Sequence, residues 1–129
     1  MSPGKPPVIT PEERALVKDA LILPVMLDFL REDISTVRRM GLKLDLIITA
    51  SLRALEQQMV TEHLRVRAEM RRRGIKLFSA ERSEAGVEGR FLCRGYRHQT
   101  QLLWSVIRAE VLKKASRCAG VRLSGLTGG

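Results

Sequence analysis

From Leu44 to Arg73 the chain runs without a single proline or glycine. Ile48, Leu52, Leu55, Met59, Val66 and Met70 fall on one helical stripe within it, and His63 fills the gap. A stretch free of both backbone breakers and carrying that stripe predicts one long helix. At a rise of about 1.5 Å per residue it reaches up to about 45 Å. Gly74 is its expected stop, because glycine adopts the left-handed conformation that ends helices and basic residues precede it. Any fold for this chain has to be built around that rod.

Upstream, Thr10 is suited to an N-cap, Pro11 to the first helical position and Glu13 to the third, where it completes a capping box. Leu16, Val17, Ala20 and Leu21 then share one face, and Met26, Leu30, Ile34 and Val37 continue at helical spacing to Gly41. Pro24 lacks a backbone donor and clashes with the preceding turn, which predicts a kink or a split there. Downstream of Gly74 the period changes from 3.6 to 2. Ile75, Leu77 and Ser79 alternate with Lys76, Phe78 and Ala80, and the run from Arg90 to Arg97 alternates again. Gly86 and Gly89 lie between, so a β-hairpin is expected at about 75–97, with its turn within Ser83–Gly89. A final helix is expected from about Thr100 to Arg117, with Leu103, Trp104, Ile107, Val111 and Ala115 as its stripe. Residues 1–9 and 120–129 read as flexible tails.

The fold class expected is therefore α+β, mainly α: a single helical domain over residues 10–119 with one hairpin and a C-terminal helix. A length of 129 residues fits one domain, and 44% hydrophobic residues suffice for a core. With aromatics at only 4%, that core must be aliphatic, and Trp104 is expected to be a buried anchor. The most apolar stretch, Ala20–Leu27, is too short to span a bilayer, and Met1–Pro7 has no apolar segment of the secretory kind behind it. Two cysteines, Cys93 and Cys118, give no disulfide framework. A cytoplasmic protein with free thiols and no membrane partner is expected.

The net charge of +9 is unevenly spread. Residues 1–40 carry 6 basic and 6 acidic side chains, residues 41–80 carry 8 and 4, and residues 81–129 carry 9 and 4. The excess is densest in Arg65, Arg67, Arg71, Arg72, Arg73 and Lys76, against Glu69 alone. Most of these are arginines, whose planar forks bind phosphate in pairs of hydrogen bonds. Arg90, Arg94 and Arg97 add to them from the hairpin, beside Tyr96. A basic helix end followed by a basic hairpin is a nucleic-acid footprint, although a solvated helix end complementing its own dipole produces the same run.

Glu69-Met70-Arg71-Arg72-Arg73-Gly74-Ile75, with the glycines at 86 and 89, resembles the recognition-helix exit and wing of winged-helix regulators. That resemblance implies a break near Thr61, since a recognition helix is short.

No glycine-rich phosphate loop and no dinucleotide pattern is present. His63, Cys93, His98 and Cys118 lack metal-ligand spacing, and Glu81, Glu84 and Glu88 flank a loop as solvated acids do. Cys93 with His98 lacks a group to orient the imidazole. No enzyme activity, cofactor or metal is expected. The function expected is a small basic DNA-binding regulator of transcription, of bacterial or phage type. DNA is favoured over RNA, and a homodimer over a monomer, because the stripes of the two last helices have near-heptad spacing. The alternative is a helical adaptor or inhibitor that binds an acidic or other protein partner through apolar helix faces.

Overall fold

The structure is a computed structural model that describes residues 8–121. Its elements are α1 (Pro11–Met40), α2 (Asp45–Arg72), β1 (Ile75–Arg82), β2 (Gly86–Cys93), β3 (Tyr96–Leu103) and α3 (Trp104–Ala119). The two expected tails lie mostly outside the described residues.

α1 begins at the capping box its sequence announces. Glu13 N–H donates to Thr10 Oγ1 and Thr10 N–H donates to Glu13 Oε1, both at 3.1 Å. The helix ends at Gly41 in the left-handed region. Of the kink or split expected at Pro24, the split does not occur: the helix runs unbroken through Pro24. Burial explains why. From Ala20 to Leu27 every residue except Pro24 is buried, on all sides of the helix. α1 is therefore the central rod: α2 covers one side, and the sheet and α3 cover the others. The lost hydrogen bond at Pro24 costs less than unburying that much apolar surface. Ion pairs along the flanks fix the arrangement, with Lys114 on Asp19 at 2.8 Å, Arg82 on Asp28 at 2.7 Å and Arg31 on Glu56 at 2.7 Å.

α2 is the long rod read from the sequence, and it is continuous through Thr61, whose hydroxyl donates to Gln57 O one turn back. A short recognition helix is thus not formed, and the winged-helix order is not reproduced. Leu52, Leu55, Met59, Val66 and Met70 pack into the common core. Their stripe is buried within the chain.

The sheet has three antiparallel strands in the order β1-β2-β3. The expected hairpin is present, with its turn at Ser83–Ala85, but it is joined by a third strand over Tyr96–Leu103. Tyr96 and Arg97 accordingly belong to β3, and the last helix starts at Trp104 rather than near Thr100. Arg94 and Gly95, both at positive φ, make the tight β2–β3 turn. Val87, Phe91 and Cys93 of β2 face the core, and Gly89 lets Leu21 of α1 come close. The opposite face of the sheet has no element packed on it.

Trp104 is half-buried, not fully buried as expected. It sits at the first turn of α3, where its indole N–H donates to Ser83 O at 2.7 Å and its backbone N–H to Ala85 O at 3.3 Å. It closes the β1–β2 turn onto the helix instead of filling the core, a task taken by Ile107.

Candidate nucleic-acid interface

The basic residues singled out from the sequence separate into two groups once their partners are visible. Five of them are engaged. Arg65 forms a fork onto Glu62 one turn back on α2. Arg72 and Arg73 both hold Glu69, Arg73 at 2.9 Å, and together they keep that carboxyl down at about 2. Arg90 lies 3.2 Å from Glu88. Arg94 is engaged by an acid distant in the chain: its guanidinium meets Glu13 at 2.6 and 3.3 Å. Glu13 is only 3% exposed, and the Arg94 hydrogen bond, with the Thr10 backbone after it, holds its carboxyl at about 2. Arg94 is thus a structural cation that neutralises a buried acid and fastens the β2–β3 turn to the start of α1.

The other four, Arg67, Arg71, Lys76 and Arg97, form no ion pair among the described residues. Arg67 and Arg71 are one helical turn apart on α2, so they project from one side. The chain reverses at Gly74 and Lys76 comes back beside them. These three cations line one open groove of about 470 Å³, whose floor is Met70, Ile75 and Leu77. Lys76 also points to the uncovered face of the sheet. There it pairs in register with Leu92, which pairs in turn with Arg97. Lys76 and Arg97 therefore sit two strands apart, about 10 Å, on the same face.

The next row of that face holds Ser79, Arg90 and Gln99. A β-bulge between Leu77 and Ser79 turns Phe78 outward, where it is exposed beside Arg90, Arg97 and Gln99 in a second shallow depression. Phe78 and Gln99 escape the sequence reading. The strict alternation of β1 conceals the bulge, and Gln99 falls between the hairpin expected to about 97 and the helix expected from about Thr100. Beyond this row the face turns acidic, with Glu81 opposite Glu88. The basic region is therefore confined to the end of the sheet next to the C-terminus of α2.

The other candidates form no site. Cys93 is fully buried, and burial pushes its thiol up, away from the thiolate a nucleophile needs. His98 stacks on Phe91 with ring centroids 5.3 Å apart. His63 is driven toward the neutral form by burial and by Arg67. Among the described residues no three His, Cys, Asp or Glu side chains come together as a metal site, and no helix is long and apolar enough to cross a membrane.

No curated protein and no solved structure matches the chain. The match to the family described as YhjD protein extends over residues 8–123, takes in every element from α1 to α3, and places the chain in that family.

Proposed function

We propose that this protein is a non-enzymatic nucleic-acid-binding protein, with DNA as its polymer and control of transcription as its setting. The reading rests above all on the groove where Arg67, Arg71 and Lys76 converge without an acidic partner. Cations already held by carboxylates must give up those bonds to meet a phosphate. Unpaired arginines lose only water, and their forks suit phosphate oxygens. Arg97 extends the basic region across the open sheet face, and Phe78 adds an exposed aromatic beside it. Positioning on phosphates is what such a surface offers, since the short helix that reads bases in winged-helix regulators is not formed here. The dimer expected from the helical stripes loses its support, because α2 spends its stripe within the chain.

Electrophoretic-shift titrations of the full chain on duplex and single-stranded DNA, at about 50 and about 200 mM salt, test the proposal. Log affinity is expected to fall linearly with log salt, with a slope set by the number of phosphates neutralised. Absence of binding to either form at the lower salt overturns it.

A further inference from the structure

The far end of the molecule carries a second surface that the basic groove does not explain. The core cluster uses nothing of α1 beyond Leu30 and nothing of α2 before Leu52. Residues 31–51 therefore form a two-helix arm, held by α1 against α2 alone. At its tip Met40, Leu42, Leu44, Leu46 and Ile47 are all exposed, Leu46 at 82% and Leu44 at 67%. Five large apolar side chains on consecutive turns of one bend are not the scattered single exposures of an ordinary surface. The start of α2 adds to this apolar character, although α3 too begins at an uncapped leucine, Leu103. The N-cap of α2 is Leu44, which makes no side-chain cap bond, where water-facing helices favour Ser, Thr, Asp or Asn.

The surroundings of the tip are cationic. Arg38, Arg39, Lys43 and Arg53 flank it, against Asp45 alone, which leaves an excess of three positive charges between residues 38 and 53. None of these four cations is in an ion pair among the described residues; Arg39 reaches only the hydroxyls of Ser35 and Thr36. Apolar side chains ringed by cations, at a helix start whose dipole also favours anions, complement a surface that is apolar within and anionic at its edge. A second copy of the same tip fits poorly, because it would bring the two cationic rings together.

We propose that the tip of the α1–α2 arm docks on an anionic lipid surface. Met40, Leu42, Leu44, Leu46 and Ile47 enter the boundary between headgroups and acyl chains, and Arg38, Arg39, Lys43 and Arg53 meet the headgroup phosphates. The arm lies on the membrane and does not span it; the expectation of no membrane partner rests on hydropathy, which addresses spanning only. Along α2, Ile47 of the tip and Arg67 of the groove lie 20 residues apart, about 30 Å of helix, so either surface can be removed without the other.

Co-sedimentation of the full chain with vesicles tests the idea. Vesicles of phosphatidylcholine mixed with phosphatidylglycerol are compared with vesicles of phosphatidylcholine alone. The wild type is expected to partition onto the mixed vesicles and to keep part of that binding in high salt. The double variant Leu46→Ser/Ile47→Ser, which leaves every charge in place, is expected to bind the mixed vesicles about tenfold or more weakly. Its thermal unfolding should match that of the wild type, because both side chains are exposed. An Arg67→Ala/Arg71→Ala/Lys76→Ala variant should retain the binding that survives high salt. Equal partitioning of wild type and the serine variant would overturn the proposal, since the net charge of the chain alone would then suffice. So would self-association of the wild type without vesicles that the serine variant abolishes, which would make a second copy the occupant.

Discussion

Arg94 illustrates how little a run of charges says about the duties of its members. By composition it belongs with the other cations of the hairpin. By position it is the partner of a buried carboxylate 81 residues away in the chain. That pairing is invisible in sequence because nothing local to Arg94 encodes it. The engagement of Arg72 and Arg73 is legible, since Glu69 precedes them at the spacings of helical neighbours. Removing Arg94 leaves Glu13 charged, buried and unpaired. Glu13→Gln keeps the shape of the buried side chain and removes its charge, so it should lower stability at neutral pH by about 1–3 kcal/mol in urea unfolding. The pH dependence has a definite sign. Glu13 sits at about 2 in the folded chain against an ordinary 4.5, so its contribution is complete above pH 4.5 and lost as pH falls toward 2. The glutamine variant should therefore also shrink the acid-induced loss within that window. An unchanged acid limb would show that other carboxylates dominate it.

Trp104 is the complementary lesson, since its place in an apolar stripe suggests a core anchor. A half-buried indole bonded to Ser83 O holds less apolar area out of water than a fully buried one. Trp104→Ala is accordingly expected to cost about 1–3 kcal/mol, less than the loss typical of a buried tryptophan. Equilibrium urea titration reads the difference directly.

At the scale of elements, the parts with strong periodicity or breakers are legible and the weakly patterned strand is not. The capping box at Thr10, the stop at Gly41, the length of α2 and the switch to strand after Gly74 all follow from local chemistry. β3 escapes because His98-Gln99-Thr100-Gln101 lacks apolar alternation, as suits an edge strand half in solvent. The turn that starts it, Arg94-Gly95, reads as strand interior because arginine rarely adopts positive φ. Pro24 fails as a breaker for the opposite reason: packing on all sides overrides local preference. The third strand gives Gly86 a role that the hairpin alone would not. A Cβ there would lie 1.9 Å from the carbonyl oxygen of Leu102, which is backbone and cannot swing aside. Gly86→Ala is expected to pry β2 from β3 beside Trp104, at a cost of about 1–3 kcal/mol. Tryptophan emission should shift to the red in the same variant, and an unchanged spectrum with unchanged stability would refute this account of the strand pair.

Across the whole molecule, the helices outrun the sheet. α1 has 30 residues, about 45 Å of helix, while each strand has 8 residues, about 27 Å. That mismatch creates the arm and leaves its apolar tip uncovered, a consequence of assembly that no single segment announces. The charge distribution is legible as an excess toward the C-terminal half. Its division into paired and unpaired cations requires the fold, because it depends on where Glu13, Glu62, Glu69 and Glu88 come to lie. Five of the nine cations singled out from the sequence are tied to those acids, and the proposed interface reduces to the unpaired ones.

The measurement that bears most directly on this division is the salt dependence of DNA binding for two triple variants of equal charge. Arg67→Ala/Arg71→Ala/Lys76→Ala removes the unpaired groove. Arg65→Ala/Arg72→Ala/Arg73→Ala removes three cations already held by carboxylates on the same helix. The slope of log affinity against log salt reports how many phosphates are neutralised, and it is less sensitive than affinity to the carboxylates left behind. The groove variant is predicted to flatten that slope by up to about 2.7 on duplex DNA, about 0.9 for each phosphate no longer neutralised, while the paired variant changes it by less than about 0.9. Equal flattening by the two variants, or a larger effect from the paired set, would contradict the account.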